Sequence, residues 1–305
     1  MKRTLIFLLI TGALLTACAS GQVNAAPPPR IETGVDPQAW AHIPAGEFLS
    51  GLHAEEVHLD HDFKMMVTHV TNAQYADYLN QALAAGAIQI VDGPQGQQVV
   101  GYYPGDEFHG LKHEIEITAG DWLHVPLYDP GLRIAYDATA DQPFSPLPGY
   151  ENHPMVMVTW FGAKAYCDFN GWRLPSSAEW EKAARGEDGR PYPWGQEIAR
   201  QNANYYSSHD VFEKIFGALG DTTPVGFYNG STYEGFTTLD SASPYGLYDM
   251  AGNAWQWVSD IQEGTHYRLL RGGSKADYAY NLRIWTTNSA GPDYAGPSIG
   301  FRCAR

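Results

Sequence analysis

Positively charged side chains are scarce in this sequence. Its 305 residues include 19 lysines and arginines against 34 aspartates and glutamates, which gives a formal net charge of −15. No run of basic residues interrupts this acidic excess. An acidic surface repels the phosphates of nucleic acids and of anionic lipid headgroups. The composition therefore argues against nucleic-acid binding.

The sequence also lacks a hydrophobic run long enough to span a bilayer. The longest apolar stretch near the amino end extends from Leu5 to Leu15. A membrane-spanning helix needs roughly 20 apolar residues. The stretch follows Lys2 and Arg3 and precedes small residues. This arrangement is typical of an export signal that is later removed.

The end of this stretch, Leu15-Thr16-Ala17-Cys18, resembles a lipobox. It predicts a lipoprotein signal peptide over residues 1–17 and acylation of Cys18, which would anchor the protein to a membrane without a span. Residues 18–38 are predicted to be a flexible tether, because they include three consecutive prolines. The expected location is the periplasmic or cell-surface side of the membrane. The alternative is an ordinary cleaved signal with an incidental cysteine.

Cysteine is scarce as well, with three residues in the chain. If Cys18 carries lipid, Cys167 and Cys303 are left as an even pair in an oxidising compartment. We expect these two to form a disulfide that ties the middle of the domain to its end. The alternative is two buried free thiols.

Long helical patterns are few, whereas 32 glycines and 20 prolines are spread along the chain. Capping residues and terminal glycines predict short helices over residues 71–86, 159–171 and 176–186. Alternating apolar and polar residues predict strands over residues 57–63 and 113–118. The pattern indicates a loop-rich α+β fold rather than a doubly wound sheet or a barrel.

Several longer motifs follow one another along the chain. They are Ala41-His42-Ile43-Pro44-Ala45-Gly46-Glu47-Phe48, Arg173-Leu174-Pro175, Tyr192-Pro193-Trp194-Gly195, the run from Tyr245-Gly246-Leu247-Tyr248 to Trp257, Arg271-Gly272-Gly273-Ser274, and Gly300-Phe301-Arg302-Cys303. In this order they resemble the formylglycine-generating (sulfatase-modifying factor) family. The resemblance implies one domain over residues 39–305 with a compact fold related to C-type lectins. Residues 88–150 match poorly and are predicted to be a subfamily elaboration.

The resemblance also implies where catalysis would occur. The family's oxidases bind copper through two cysteines, the third and eighth residues after the Arg-Gly-Gly-Ser motif. Asp277 and Leu282 stand at these positions here. Neither side chain offers the soft sulfur that Cu(I) prefers. Copper-dependent formylglycine generation is therefore not expected, and the match of Cys303 in the family is a structural disulfide partner.

The family usually binds calcium, and the resemblance implies two sets of ligands in this chain. The first set is Asp249, Gly252, Ala254 and Gln256, and the second and weaker set is Asn204, Tyr205 and Asp221. The carboxylate and the amide of the first set have changed places relative to the family, but both still supply hard oxygen ligands. The alternative is a structural turn without an ion.

Two classes of function remain open at this stage. In the first, the domain is a non-catalytic binding or assembly module that presents a pocket around Trp255, Arg271, Ser274 and Asp277 to a peptide, a protein or a glycan. In the second, the same pocket carries altered chemistry with Asp277 as a general base or metal ligand. A sulfatase-activating oxidase is a distant third. A polar group near the amino end is interpreted as a solvated strand face rather than a metal site; it comprises His53, Glu55, His58, Asp60 and His61.

Overall fold

A computed structural model describes residues 27–217 and 220–305. Within these residues the helices are α1 (Asn72–Ala84), α2 (Trp160–Phe169), α3 (Ser177–Arg185) and α4 (Val211–Phe216), with a 3₁₀ turn at Ala279–Leu282. The predicted signal peptide and Cys18 lie outside the described residues. No helix in the described part of the chain is long and apolar enough to cross a membrane.

Fifteen short strands make up the rest of the regular structure in these two ranges. They are β1 (Trp40–Ile43), β2 (Gly46–Ser50), β3 (Glu55–Leu59), β4 (Phe63–Met66), β5 (Ile88–Gly93), β6 (Gly96–Tyr103), β7 (Gly120–Pro126), β8 (Ile134–Tyr136), β9 (Phe144–Pro146), β10 (Thr232–Tyr233), β11 (Phe236–Thr237), β12 (Trp255–Ile261), β13 (Arg268–Arg271), β14 (Thr287–Ala290) and β15 (Ile299–Phe301).

The strands form two larger sheets and four pairs. One sheet has the order β14-β13-β12-β15, in which β12 and β15 run parallel and the other neighbours are antiparallel. The second sheet, β5-β6-β7, is antiparallel and comes from the poorly matching residues 88–150. The pairs are β1-β4, β2-β3, β8-β9 and β10-β11.

The three predicted helices are confirmed, and their caps have the expected hydrogen bonds. The Thr71 side chain accepts from Gln74 N at the start of α1, and the Ser176 side chain accepts from Glu179 N at the start of α3. Both helices have a complete capping box. Helix α4 was not predicted, although Asp210 caps it by accepting from Phe212 N and Glu213 N.

One of the two predicted strands is partly correct and the other is wrong. Residues 57–63 are divided between β3 and β4, with a turn between them. Residues 113–118 form no strand, because the Glu114 carboxylate accepts from the backbone of His109 and Leu111 and closes a loop there. The alternation in this segment does not mark one buried face, since Ile117 is buried while Ile115 is 62% exposed.

The packed domain begins earlier than the predicted boundary at residue 39. Ile31 is buried beside the aromatic cluster of Phe212, Phe227 and Tyr228. The Thr33 hydroxyl donates to the Val225 carbonyl. The prediction of a flexible tether up to residue 38 is therefore wrong for Ile31 and Thr33, because Ile31 packs against the aromatic cluster.

The largest core lies between α1, α2 and the two sheets. Tyr75 and Tyr166 stack in it at 5.6 Å, and Phe301 of β15 meets both rings edge-on. Cys167 of α2 and Cys303 form a disulfide in this core, with their Cα atoms 5.8 Å apart and a sequence separation of 136. This bond fastens the end of the chain to α2. A second core surrounds Trp180 of α3.

Candidate functional site

The turn after β13 is positioned by two glycines of the Arg-Gly-Gly-Ser motif. Gly272 and Gly273 have φ values of +98° and +72°, which favour glycine. A Cβ on Gly273 would lie 2.9 Å from Leu282 Cδ1, so the turn packs closely against the 3₁₀ turn that follows. The motif therefore places Ser274, Asp277 and Leu282 in one compact unit.

Asp277 closes this unit. Its Oδ2 atom accepts from Ser274 N at 3.0 Å and from Ser274 Oγ at 2.5 Å, and its Oδ1 atom accepts from Asn281 Nδ2 at 3.1 Å. Both carboxylate oxygens are thus used to hold the turn. These hydrogen bonds give the carboxylate a structural role in the turn.

Leu282 stands at the second position where the family's oxidases carry a cysteine. Its side chain is fully buried against Tyr192, Ala203 and Ala251. A hydrocarbon side chain has no lone pair to offer a metal. The two positions together therefore provide one engaged carboxylate and one core leucine, which cannot form a copper–thiolate centre.

The predicted pocket around Trp255, Arg271, Ser274 and Asp277 does not form. Arg271 is buried and donates to Glu181 Oε2, and its guanidinium lies 5.2 Å from the Trp180 ring. Trp255 is 6% exposed and packs in the main core. Ser274 and Asp277 hydrogen-bond to each other. The predicted pocket was wrong because both faces of the sheet are buried at β12 and β13. Side chains on either face therefore point into the protein.

Oxygen atoms of the first predicted calcium site already accept hydrogen bonds from other parts of the protein. Gln256 Oε1 accepts from Trp180 Nε1 at 2.8 Å and from Arg302 Nε at 2.7 Å, while its Nε2 donates to the Asp249 carbonyl. The Ala254 carbonyl accepts from His69 Nε2 at 3.0 Å. Two of the four expected ligand oxygens are thus already engaged, and a guanidinium lies beside them.

The Arg302 guanidinium lies among the oxygens of this site and interacts with the Asp249 carboxylate. Burial raises the pKa of Asp249 to about 6, although the Gly226 amide and Arg302 lower it. Burial likewise lowers the pKa of Arg302 to about 9, and Asp249 opposes this. A buried guanidinium among these oxygens repels a divalent cation. As arranged, Asp249, Gly252, Ala254 and Gln256 do not fit calcium.

The second predicted calcium site has the same difficulty. The Asp221 carboxylate accepts from Arg133 Nη2 at 2.8 Å and from the Tyr150 hydroxyl at 2.7 Å. Asn204 uses its amide nitrogen to donate to the Asp221 carbonyl, and the Tyr205 carbonyl accepts from Ser208 N. The three residues are close together, but the Asp221 carboxylate is already paired with the Arg133 guanidinium.

The polar group near the amino end also forms internal bonds. His61 is joined to Asp60 at 2.7 Å and to Glu179 at 2.9 Å, and Glu179 also binds Arg173. These two carboxylates raise the pKa of His61, Asp60 more than Glu179. In residues 27–217 and 220–305, no group of three or more His, Cys, Asp or Glu side chains is placed to hold a metal.

A surface rich in aromatic side chains lies beside the Ser274–Asp277 turn, and motif reasoning missed it. We call it the aromatic surface; it comprises Trp194, Tyr206, Tyr278, Tyr280, Arg283 and Trp285, and the buried Tyr192 stacks on Trp194 beneath it. Tyr278 and Tyr280 are 67% and 62% exposed. A groove beside Tyr192, Arg283 and Trp285 also contains Gln196 and Glu197. The clue in the sequence was the clustering of aromatic residues in a loop segment.

The fold and the site together define a class of protein: a loop-rich α+β domain with the motifs of formylglycine-generating enzymes but without their thiolate pair. Residues 28–305 match the model of the sulfatase-modifying factor enzyme 1-like domain family. The match covers nearly the whole chain, and the protein belongs to this family. The expected resemblance and fold class are both confirmed.

Relatives in this family include active and inactive proteins. The inactive C-alpha-formylglycine-generating enzyme 2 of Mus musculus is 38% identical over 159 residues, which cover 50% of this chain and 48% of the relative. The formylglycine-generating enzyme of Mus musculus is 27% identical over 329 residues, covering 95% and 82%. Serine/threonine-protein kinase pkn1 of Chlamydia caviae is 37% identical over 177 residues, covering 52% and 25%. The chain thus spans about half of the inactive enzyme and a quarter of the kinase.

Solved structures share the fold at low identity. The crystal structure of CarF has a TM-score of 0.54 at 20% identity, with 89% of this chain and 99% of CarF covered. PvdO from Pseudomonas aeruginosa has a TM-score of 0.53 at 22% identity, with 92% and 98% covered. These similarities concern the fold alone.

Proposed function

We propose that this protein is a lipid-anchored, extracytoplasmic binding or assembly module that does not act as an oxidase. One observation carries the proposal: the two positions that hold copper-binding cysteines in the family's oxidases are a turn-closing aspartate, Asp277, and a core leucine, Leu282. Replacing both thiolates removes the ligands on which oxygen activation depends. A relative named as inactive, 38% identical over half of this chain, is consistent with this role.

The aromatic surface is the part of the molecule best suited to a partner. Tyrosine and tryptophan supply large contact areas at a low cost in conformational entropy and are enriched where proteins bind others. Arg283 lies over both Tyr280 and Trp285 and adds a cation to the surface. A peptide or a glycan could use this mixture of flat rings and polar groups.

Nothing in the geometry favours the alternative of altered chemistry at Asp277. A general base must come within hydrogen-bond reach of the proton it abstracts. Asp277 accepts three hydrogen bonds, from the Ser274 amide and hydroxyl and from the Asn281 side chain, and these fix it in the turn. The carboxylate has a sufficient structural role without any reaction.

Location outside the cytoplasm is supported by two features of the sequence and fold. The lipobox pattern ending at Cys18 would attach acyl chains to the amino end of the mature protein. The disulfide between Cys167 and Cys303 suits an oxidising compartment. We propose that the domain is thereby held at a membrane surface while the aromatic surface engages its ligand.

Two assays on the purified protein test the proposal. The first supplies copper, oxygen and a peptide containing a sulfatase-type substrate cysteine, and we expect no aldehyde by mass spectrometry. The second screens arrays of peptides and glycans with the protein and with a Tyr278→Ala/Tyr280→Ala variant. We expect binding that this variant weakens by about tenfold or more, whereas Tyr294→Ala, a similarly exposed control, leaves it unchanged.

Either assay could refute the proposal. Aldehyde formation that requires copper would show that the chain is an oxidase after all. Binding that survives loss of Tyr278 and Tyr280 unchanged would place the ligand elsewhere on the molecule.

A further inference from the structure

A small cavity separates α2 from the end of β6 and from β7. It has a volume of about 140 Å³, and its lining includes Tyr102, His124, Phe161, Lys164 and Asp168. It uses none of the residues of the aromatic surface, and it lies between α2 and the segment of residues 88–150 that matches the family poorly. The mixture of rings, a histidine and an ion pair gives it the composition of a ligand site.

His124 is the central polar group of this cavity. Its side chain is buried, with 2% exposure; Nδ1 is sealed from solvent and has no hydrogen-bond partner within residues 27–217 and 220–305, so Nε2 is the ring nitrogen that can meet a ligand. Burial lowers the pKa of His124 to about 4, so the imidazole is neutral at neutral pH. A neutral imidazole has one donor and one acceptor nitrogen. A ligand that covers Nε2 should therefore hydrogen-bond to it, because a buried polar group without a partner is costly.

The backbone around His124 leaves space for the imidazole. Gly101 of β6 lies directly against the ring, and a Cβ at this position would be 2.5 Å from His124 Cε1. Any larger residue at position 101 would displace the ring. The sheet therefore holds the imidazole where it lines the cavity.

The rim of the cavity offers a donor and an acceptor side by side. Lys164 Nζ and Asp168 Oδ2 are 2.7 Å apart on the same face of α2. Tyr102 is 68% exposed at the end of β6 and supplies an aromatic ring. The Asp168 carboxylate neutralises Lys164, so the rim does not attract an anion strongly.

We propose that this cavity binds a single pyranose residue of a glycan. Sugar hydroxyl groups both donate and accept hydrogen bonds, as a neutral imidazole and a Lys–Asp pair require. The apolar face of a pyranose ring can stack on an exposed aromatic ring such as Tyr102. A purely apolar ligand would leave His124 without a partner, and a carboxylate would face Asp168.

The test uses the full protein labelled with ¹⁵N-histidine and a panel of methyl glycosides of glucose, galactose, mannose and N-acetylglucosamine. NMR should show a saturable shift of the His124 ring nitrogens with at least one glycoside, at concentrations up to the millimolar range expected for so small a ligand. The His124 signals are assigned with His124→Phe, which keeps the ring shape but removes both nitrogens.

Surface variants keep the test decisive if His124→Phe fails to fold. Tyr102→Ala and Asp168→Asn should each raise the dissociation constant by about fivefold to tenfold, which corresponds to the loss of one contact. Tyr294→Ala, also an exposed tyrosine, should leave it unchanged. The proposal is overturned if no glycoside shifts the His124 signals, if acetate shifts them and the sugars do not, or if all three variants bind alike.

Discussion

Gln256 connects three buried groups, and it is the acceptor of both the Trp180 indole N–H and the Arg302 Nε–H. Its amide oxygen accepts from Trp180 and Arg302, and its nitrogen donates to the Asp249 carbonyl. A single amide thereby satisfies an indole, a guanidinium and a carbonyl in the second core. The sequence showed Gln256 as an altered calcium ligand, but its partners come from distant parts of the chain and could not be read from local spacing.

Replacing Gln256 with alanine should be strongly destabilising. The Arg302 guanidinium and the Trp180 indole would each lose an acceptor while remaining buried, which we expect to cost about 2–4 kcal/mol in the free energy of unfolding. Urea unfolding measures this loss. Gln196→Ala, at an exposed glutamine, should change the same quantity by less than about 0.5 kcal/mol. Equal effects of the two substitutions would contradict the role assigned to Gln256.

The same geometry predicts that calcium does not stabilise the domain. A ligand that binds the folded state raises the melting temperature in proportion to its affinity and concentration. Because Arg302 lies among the oxygens of the first expected site, we expect the melting temperature in millimolar calcium to equal that in EDTA. A higher melting temperature in calcium, lost in Asp249→Asn, would show that Arg302 moves aside for the ion.

His61 links the loop between β3 and β4 to α3 through its bonds to Asp60 and Glu179. These carboxylates raise the pKa of its imidazole. A histidine whose pKa is raised on folding stabilises the protein fully below the unfolded pKa and loses this effect as pH rises through the folded pKa. The melting temperature of His61→Gln should therefore fall below that of the parent near pH 5 and match it near about pH 9. A difference that does not shrink with pH would argue against the linkage.

At the scale of elements, the sequence predicted helices better than strands. Helices α1, α2 and α3 carry their own start signals, because capping residues such as Thr71, Thr159 and Ser176 bond to the backbone within three residues. The strands are short and pair with distant segments, as when β12 lies between β13 and β15. Local alternation does not reveal such partners, and over residues 113–118 it did not reveal that the Glu114 carboxylate closes a loop.

The predicted pocket was also wrong because of how whole strands pack. Motif order correctly indicated the family, and the positions of Asp277 and Leu282 correctly indicated the loss of thiolates. The orientation of Trp255 and Arg271 depended on which face of β12 and β13 each side chain takes, and both faces are buried. The aromatic surface was missed because its members come from three separated loop segments.

The disulfide is the strongest link between elements that can be tested directly. It joins α2 to the segment after β15 and closes a loop of 136 residues. Crosslinks over long loops typically stabilise a protein by about 2–5 kcal/mol. Cys167→Ala/Cys303→Ala should lower the free energy of unfolding by about this amount in denaturant titrations. Cys18→Ser is the matched control and should leave unfolding unchanged; an unaltered midpoint in the double variant would mean that the core alone holds these segments together.

For the whole molecule, membrane attachment and surface charge act in opposite directions. The formal charge of −15 becomes about −17 once Lys2 and Arg3 are removed with the proposed signal peptide. Such a charge is repelled by anionic lipid headgroups. If the protein is held at a membrane, acyl chains on Cys18 must therefore supply the attraction, because the folded domain does not.

This reasoning gives a sharp prediction for Cys18→Ser. The parent protein should sediment with membranes and resist extraction by high salt, since acyl chains bind through the hydrophobic effect rather than through charge. The variant should lose both the membrane association and any incorporation of a labelled fatty acid. Lys112→Ala is a suitable control, because it alters one exposed cation and leaves the lipobox intact. Membrane binding by Cys18→Ser that salt removes would instead point to a protein partner in the membrane, and the aromatic surface would be the first place to look for its contact.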